Sequence, residues 1–277
     1  MDPTDAITMR GGAARTATVL AAGVRRTSLE RAIADGKVRR LRAGVLAVPG
    51  ADPAVVHAVN LGATLTCVTA LAHHGVHLLS RTRAPHLAVR ANFTSHGRRT
   101  RGLHLHHLSV WEAPSGVVPV ESVPRALDVA GRCLDQRSHL VAVDSALHQG
   151  LVRPDQVASF AVSPKARREW LLAHMDGRAE SVGETLARLD CVERDLAVHP
   201  QRFIPRVGRV DLVVENCVVV EIDGRAFHDD SESFKRDRRR DRLVVRAGMP
   251  VLRFASAELT GPQPVHVGDA VLELLRE

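Results

Sequence analysis

The sequence predicts an α/β fold class with an α+β N-terminal part, and three observations support this prediction. Over residues 1–160, short segments with helical periodicity alternate with short segments typical of strands. Two runs made almost wholly of Val, Leu and Ile stand at 209–214 and 218–223, as expected of buried strands. Helical patterns flank these runs on both sides, so we expect an α/β core there.

The length of the chain bounds its domain organisation. With 277 residues, 45% of them hydrophobic, it can form two domains or three small ones. We predict segments at 1–50, 51–160 and 180–277, the last preceded by a basic, helical connector at 161–179. The sequence contains no run of 18 apolar residues, and it starts with the acidic and polar M-D-P-T-D. We therefore expect a cytoplasmic protein without a membrane partner.

Residues 10–50 predict two short helices followed by two strands. The first helix is expected at Arg15–Ala22, and Thr27 or Ser28 is expected to cap the second. The alternating run K-V-R-R-L-R-A-G-V-L-A-V-P then turns at Ala43–Gly44, as a two-stranded wing would. This order predicts a winged helix-turn-helix.

The charge of this segment indicates a polyanionic partner. Residues 1–50 hold nine Lys or Arg against four acids, a net of +5, and the whole chain carries a net charge of +7. Arginine bias from a GC-rich genome is the alternative explanation. Aromatic residues make up 3% of the chain and Tyr is absent, which disfavours base stacking on single strands and favours contact with duplex DNA.

The run G-G-A-A-R-T-A-T-V-L-A-A-G-V, followed by the basic helix and wing, resembles the N-terminal domain of AbiEi-type antitoxins and related regulators. The resemblance extends weakly to about residue 155. It implies major-groove contacts from the second helix and phosphate contacts from the wing. The alternative is a protein-binding module with a solvated basic rim. The expected groove residues are Arg25, Arg26 and Arg31, and the expected phosphate-binding residues are Arg39, Arg40 and Arg42.

Residues 51–160 show helix and strand patterns without a catalytic signature. L-T-C-V-T-A-L-A-H-H-G-V predicts a helix closed by Gly75, which would separate His73 from His77. P-H-L-A-V-R and G-L-H-L-H-H-L predict strands, and S-V-P-R-A-L-D-V-A-G predicts a helix. His104 and His106 point the same way on their strand, but no third ligand follows. We therefore interpret these histidines as ordinary polar positions.

The four cysteines predict neither a zinc site nor a disulfide framework. They are far apart in sequence, form no C-x-x-C pair and each has apolar neighbours. They are Cys67, Cys133, Cys191 and Cys217.

The segment Arg209–His228 places three carboxylates, those of Asp211, Glu221 and Asp223, in otherwise apolar strands. Burying ionised carboxylates this densely is costly unless a positive charge compensates them. This pattern is typical of a site for a hard cation such as Mg²⁺ or Mn²⁺. The alternative is an ion-pair network with the arginines nearby.

The turn between these strands decides which residues share a face. A three-residue loop at 215–217, with Asn216 in the left-handed region, pairs Val214 with Val218. One face is then apolar throughout, and Asp211 lies directly opposite Glu221 on the other. A two-residue loop would mix the faces. The predicted apolar face consists of Val210, Leu212, Val214, Val218, Val220 and Ile222.

The remaining elements complete the predicted core. An irregular turn is expected at His199–Pro200, and a long helix from Ser231 to Gly248 follows the hairpin. Lys235 to Arg246 holds seven basic residues against two acids, which favours phosphate contact over a merely solvated face. P-V-L-R-F predicts a last strand, and a C-terminal helix follows. The expected phosphate-binding residues on the long helix are Lys235, Arg238, Arg239 and Arg242.

The acidic residues carry a second resemblance. D followed about ten residues later by E-x-D-G resembles the PD-(D/E)XK nucleases, and E-I-D-G-R-A-F-H, R-D-R-R-R-D and G-M-P-V-L-R-F resemble the domain related to very-short-patch-repair endonucleases. The similarity covers about residues 178–260 and implies a restriction-endonuclease-like αβββαβ core. It implies catalytic or metal-binding roles for Asp211, Glu221, Asp223, His228 and Glu184.

One departure from the wider superfamily concerns the lysine of E-x-K, which is Asp223 here. The sequence therefore leaves open which group orients the attacking water. The candidates are, in this order, His228, Arg225 and Lys235.

The sequence thus predicts a Mg²⁺- or Mn²⁺-dependent DNA endonuclease with a DNA-binding winged helix, located near the nucleoid. A DNA-binding regulator of antitoxin type with an inactive nuclease fold is the alternative from another class. RNA as substrate stays open, as does the oligomeric state, with a homodimer among the alternatives.

Overall fold

The computed structural model describes residues 1–42, 44–80, 82–95, 97, 99–110, 117–224 and 248–276. Within these residues it has twelve helices and ten strands, and the strands form three small sheets. The predicted mixed α/β class is confirmed at this level. No helix in this part of the chain has the length and apolar composition needed to cross a membrane.

The described chain consists of two compact units. The first comprises Met1–Gly75 and Arg81–Cys133, and the second comprises Val76–Ser80 and Leu134–Glu277. This division differs from the predicted segments. Residues 134–160 and the predicted connector at 161–179 lie in the same unit as the carboxylate hairpin.

The first unit begins with three helices and a small sheet. Their order is α1 (Pro3–Thr8), β1 (Ala13–Arg15), α2 (Thr16–Ala21), α3 (Arg26–Ala34), β2 (Arg39–Arg42) and β3 (Val45–Ala47). The sheet has the order β1-β3-β2 with antiparallel pairs, and Ile7, Val19, Leu29 and Leu46 are buried at its core. The two predicted helices and two predicted strands are therefore present.

The predicted cap of α3 is wrong. The helix begins at Arg26, and Arg25, whose backbone is extended, is the N-cap residue without a side-chain cap bond. Thr27 and Ser28 therefore lie inside the first turn. Val24 is only 4% exposed, so its burial fixes where the chain enters the helix.

The first unit continues with a second sheet between helices. Its elements are α4 (Pro53–Leu61), β4 (Thr64–Leu65), α5 (Cys67–His73), β5 (His86–Arg90), β6 (His104–Leu108) and α6 (Val123–Ala130). In the sheet β4-β5-β6, β4 is antiparallel to β5 and β5 is parallel to β6. The helix α5 ends before Gly75, which has a φ of 76°, so the predicted helix end is confirmed.

The second unit consists of four helices, a sheet and two further helices. They are α7 (Gln136–His148), α8 (Pro154–Ala158), α9 (Lys165–His174), α10 (Val182–Val192), β7 (Val198–Ile204), β8 (Gly208–Val214), β9 (Val218–Asp223), β10 (Val251–Ala255), α11 (Ser256–Thr260) and α12 (Val267–Leu274). The sheet order is β10-β9-β8-β7, with β9 and β10 parallel and the other pairs antiparallel. The predicted last strand and C-terminal helix are confirmed, whereas the predicted helix after Ser231 lies outside the described residues.

The irregular turn predicted at His199–Pro200 is wrong, because β7 runs through both residues. Pro200 pairs with Leu212, and the left-handed Gln201 that follows has a φ of 52°. Proline removes one donor from a ladder but is tolerated on a strand that has a neighbour on one side.

The predicted three-residue turn is confirmed, and the predicted register is confirmed as far as Leu212 and Val220, where the pairing of the two strands ends. Val214 pairs with Val218, and residues 215–217 form the turn, with Glu215 and Asn216 both left-handed at φ of 51° and 57°. Five residues of the predicted apolar face lie in one core with side chains of α10 and α12. They are Leu212, Val214, Val218, Val220 and Ile222.

Val210 does not belong to that core, so its predicted place is wrong. It packs in a separate cluster with Ile204, Val213 and Val219. The pairing of β7 with β8 skips the left-handed Gln201, so the simple alternation of faces does not hold beyond this irregularity.

Candidate functional site

Asp211 and Glu221 lie side by side on the β8–β9 hairpin. They lie directly beyond Leu212 and Val220, the last backbone pair of the two strands, and both are half-buried. The backbone N–H of Ile222 donates to Asp211 Oδ2 at 2.8 Å, and the backbone N–H of Asp211 donates to Glu221 Oε2 at 3.4 Å. Each carboxylate therefore reaches across to the neighbouring strand. Asp223 ends β9 and is also half-buried.

Glu184 reaches the same region from the first turn of α10. This helix approaches β9 closely, because a Cβ on Gly183 would lie only 2.6 Å from Ile222 Cγ2. Ser181 caps the helix by accepting a hydrogen bond from the Glu184 N–H. The absence of a side chain at Gly183 is therefore what lets α10 lie against the strand that carries Glu221.

The pKa of Glu184 is raised above its usual range. Burial is the main cause, and the nearby charge of Asp211 acts in the same direction. Hydrogen bonds from the Glu180 N–H at 2.9 Å and the Gln201 side-chain amide at 2.8 Å oppose the shift. The structure thus brings the predicted residues Glu184, Asp211 and Glu221 into one acidic environment.

The acidic residues fit magnesium in their donor chemistry. Asp211, Glu221, Asp223 and Glu184 offer only carboxylate oxygens, and an oxygen that accepts one N–H retains a second lone pair. Their ligand atoms do not converge, however. In the described part of the chain, one group of three or more ligating side chains converges on a point, and it consists of Cys and His.

Several predicted site residues fall outside the described residues. They are His228, Arg225, Lys235, Arg238, Arg239 and Arg242.

The predicted DNA-binding arginines of the first unit differ in their surroundings. Arg25, Arg26, Arg31, Arg39 and Arg40 are exposed, on or beside α3 and on β2.

Arg42, by contrast, is half-buried and donates to Asn60, from Nε to Oδ1 at 2.5 Å and from a terminal nitrogen to the backbone oxygen at 2.6 Å. Its guanidinium therefore holds β2 to α4.

Cys67, His86, His106 and Cys133, which no pattern in the sequence groups together, form a cluster in the first unit. One ligand atom from each residue lies within 4.8 Å of all the others. Three of the four residues are buried and Cys133 is exposed. His86 Nδ1 lies 3.1 Å from His106 Nε2, and Cys133 Sγ lies 3.9 Å from His106 Nε2.

The cysteines of this cluster have opposite pKa shifts. The pKa of Cys133 lies well below its usual range, because Cys67, His106 and His86 form hydrogen bonds to its sulfur. The hydrogen bond to Cys133 raises the pKa of Cys67, and burial raises it further. The arrangement thus favours a thiolate at Cys133.

The sequence prediction missed this cluster because its members come from four separate elements. Cys67 starts α5, His86 starts β5, His106 lies in β6 and Cys133 follows α6. The consecutive spacings of 19, 20 and 27 residues match no short metal-binding motif. The only local indication of the cluster was that His104 and His106 lie on the same face of one strand. The other members, Cys67, His86 and Cys133, are too distant in sequence to be recognised as partners.

The sequence matches no model of a known protein family, and no curated protein is similar enough to count as a relative.

Proposed function

We propose that the protein is a metal-dependent DNA endonuclease with a DNA-binding N-terminal segment. The observation that carries the proposal is the pair Asp211 and Glu221 on adjacent strands, with Glu184 close enough for the charge of Asp211 to raise its pKa. Such a group of acids is typical of sites that bind a divalent cation and a phosphodiester. The resemblance to very-short-patch-repair endonucleases over residues 178–260 supports the same activity.

Each acidic residue has a role in this proposal. Asp211 and Glu221, with Asp223 and Glu184, would hold magnesium or manganese after their side chains rotate toward a common point, because their oxygens do not converge in the present arrangement. When bound, the ion lowers the pKa of a coordinated water and neutralises charge that develops on the scissile phosphate. His228 is proposed to transfer a proton at this site.

The proposed DNA interface of the first unit consists of exposed arginines. The element order and the sheet β1-β3-β2 support a winged helix, in which α3 would lie in the major groove and β2 beside the phosphates. Arg25, Arg26 and Arg31 are proposed to contact the groove, and Arg39 and Arg40 the phosphates. Lys235, Arg238, Arg239 and Arg242 are proposed to contact the backbone near the cleavage site.

A second candidate function is a DNA-binding regulator that does not cut. The position of the superfamily lysine is occupied by Asp223, and the carboxylates of Asp211 and Glu221 accept hydrogen bonds from backbone N–H groups. Arg253 of β10 also lies level with Glu221 in the sheet. These features favour a structural use of the acids.

Incubation of supercoiled plasmid with the purified protein tests the enzyme proposal. With magnesium or manganese, nicked and then linear products are expected, whereas calcium should support binding with little cleavage. Asp211→Asn should abolish nicking and leave DNA binding intact or tighter, because it removes a ligand and a negative charge. His228→Ala should slow nicking about 10²-fold if the imidazole transfers a proton.

The matched control for this experiment is Asp155→Asn. Asp155 is an exposed carboxylate that pairs with Arg153 in the second unit, so its loss should leave nicking unchanged. Circular dichroism of each variant establishes that it is folded. If folded wild-type protein with magnesium cuts neither duplex, mismatched duplex nor single strands, the enzyme proposal is wrong and the regulator takes its place.

A further inference from the structure

The Cys67, His86, His106 and Cys133 cluster is positioned by hydrogen bonds that tie its elements together. The Thr66 N–H donates to the His86 oxygen at 3.1 Å, and the His86 N–H donates to Thr69 Oγ1 at 2.8 Å. These two bonds fix the start of α5 against the start of β5. Cys133 is held at the end of α6 by its own N–H, which donates to the Ala130 oxygen at 2.9 Å.

The parallel pairing of β5 and β6 places the histidines. His104 pairs with His86, and His106 pairs with Ala88, so His106 lies two residues beyond His86 along the neighbouring strand. The His104 N–H donates to the Pro85 oxygen at 2.9 Å, which fixes the start of β6 beside β5. The side chains of His86 and His106 therefore meet because of the sheet itself.

We propose that Cys67, His86, His106 and Cys133 bind one zinc ion that holds the β4-β5-β6 sheet to α5 and α6. Two sulfur and two imidazole ligands are the donor set that zinc prefers in closed, four-coordinate sites. Two thiolates and two neutral imidazoles would balance the charge of Zn²⁺, so the occupied site would be neutral. The protons displaced from the thiols pass to solvent on binding.

The distances agree with a tetrahedral site. Zinc–nitrogen bonds of about 2.0–2.1 Å and zinc–sulfur bonds of about 2.3 Å place two nitrogens about 3.3 Å apart and a nitrogen and a sulfur about 3.5 Å apart. The two histidine nitrogens are 3.1 Å apart, and Cys133 Sγ is 3.9 Å from His106 Nε2. The other ligand atoms lie within 4.8 Å of one another, so side-chain movements of up to about 1 Å would complete the geometry.

His104 lies beside this site and is the alternative fourth ligand. Its ring stacks on His86 with centroids 4.4 Å apart, and its Nε2 lies 3.7 Å from Cys133 Sγ. The side chain is exposed, whereas His106 is buried at 7% exposure. We assign His106 as the ligand and His104 as the residue that covers the exposed side of the site.

A closed site with four protein ligands supports a structural role. The ligands span 67 residues, from Cys67 to Cys133, and come from the start of one helix, two strands and the segment that follows another helix. Zinc would therefore cross-link elements distant in sequence. Its removal should loosen this part of the first unit without touching the acidic residues of the second.

Metal analysis of the full-length protein, purified without added metal or chelator, is the direct test. About one zinc ion per chain is expected in the wild type, and less than about a tenth of that in Cys67→Ser and His106→Ala. His104→Ala and His107→Ala are the matched controls and should keep the zinc. His107 is exposed and follows His106 on the same strand. His107→Ala therefore also removes one histidine from β6, but it removes no proposed zinc ligand.

Two further measurements keep the test decisive if the ligand variants fail to fold. Cobalt added to the metal-free wild-type protein should give the intense thiolate charge-transfer absorption and the visible bands of a tetrahedral Cys₂His₂ site. Cys133 should resist alkylation by iodoacetamide in the zinc-loaded protein and react after a chelator is added. The chelator should also lower the melting temperature by about 5 °C or more.

The proposal is wrong if the purified wild-type protein contains no zinc and also shows no thiolate charge-transfer absorption after cobalt is added. It is overturned equally by a disulfide between Cys67 and Cys133 in the native protein, detected as a mass lower by two hydrogens. Loss of zinc in His104→Ala with retention in His106→Ala would overturn the assignment of the ligand. None of these results depends on whether the protein cuts DNA.

Discussion

Asp144 and Arg188 form a buried ion pair that links α7 to α10 in the second unit. Arg188 donates to Asp144 Oδ2 at 2.8 Å, and the two side chains are 7% and 0% exposed. The Asp176 N–H and Thr185 Oγ1 also donate to this carboxylate, at 2.8 Å and 3.1 Å. Burial nevertheless raises the pKa of Asp144 to about 6, and Arg188 opposes the shift. This pair attaches the helix that carries Glu184.

Replacing Arg188 with Met should therefore destabilise the protein in a pH-dependent way. At pH 8 the buried carboxylate loses its cation, which costs about 3–5 kcal/mol. In the wild type the raised pKa makes stability fall as pH rises to about 6, because the folded state keeps its proton to a higher pH than the unfolded chain. Arg188 opposes this shift, so its loss raises the pKa of Asp144 further, and the stability of the variant continues to fall at higher pH. At pH 5 Asp144 is protonated in the variant, and the loss should be smaller.

Urea unfolding of the Arg188→Met variant at pH 5 and pH 8 measures this difference. Arg153→Met is the matched control, since Arg153 and its partner Asp155 are both exposed and lie outside the hydrogen bonds of Asp144. Its effect should stay below about 1 kcal/mol at both pH values. An equal loss of stability at the two pH values in Arg188→Met would show that Asp144 does not titrate in this range.

At the scale of elements, the close contact of α10 with β9 depends on Gly183. Alanine would improve helix propensity by about 1 kcal/mol, but its Cβ would meet Ile222 Cγ2 at 2.6 Å. That methyl belongs to a branched side chain in a packed strand and cannot move away easily. Gly183→Ala should therefore destabilise the protein by about 1–3 kcal/mol and displace Glu184 from the hairpin.

A double-mutant cycle isolates the contact between the two residues. Ile222→Ala removes the methyl that a Cβ at position 183 would meet. In thermal or urea unfolding, the double variant should cost less than the sum of the single variants. If the losses in the free energy of unfolding of the two single variants simply add up in the double variant, the clash with Ile222 is not what destabilises Gly183→Ala.

The elements that the sequence predicted well share a strong local constraint. The apolar pattern on either side of Glu215, Asn216 and Cys217 is compatible with one register only, so the turn and the neighbouring carboxylates followed from it. The residue pattern did not predict β7, because Pro200 indicated a break, although the αβββαβ core implied by the resemblance has a third strand. The structure accommodates Pro200 in an outer strand.

The Cys/His cluster could not be predicted in this way, because its geometry depends on tertiary pairing. His86 and His106 meet only when β5 and β6 run parallel, and Cys67 and Cys133 join them only when α5 and α6 pack beside that sheet. No local pattern fixes any of these arrangements. The acidic residues, by contrast, lie on two strands joined by a three-residue turn.

At the scale of the whole molecule, a net charge of +7 predicts DNA binding that weakens with salt. Replacing Arg25, Arg39 and Arg40 together with Ala should weaken binding to all duplex sequences and flatten the dependence of affinity on salt concentration. The reason is that binding releases a counterion from every phosphate that the protein neutralises. The variant neutralises fewer phosphates, so it releases fewer counterions and depends less on salt. Fluorescence anisotropy with a labelled duplex at several salt concentrations measures both effects.

A second triple variant separates local contact from total charge. Arg137, Arg153 and Arg178 each form an ion pair in the second unit, and their joint replacement with Ala removes the same net charge. This control should leave the salt dependence close to that of the wild type. If the two triple variants behave alike, the arginines of α3 and β2 have no special role in binding DNA.

The outer strand β7 has a further consequence for the behaviour of the protein at high concentration. Within the described residues it pairs with β8 alone, and it presents Phe203 at 70% exposure. A flat, apolar outer strand invites another chain to add to the sheet and begin aggregation. Pro200 lacks an N–H, Gln201 breaks the extended backbone at a φ of 52°, and Arg202 adds charge. These three residues in succession make β7 a poor template for a further strand, so they protect the sheet from open-ended polymerisation.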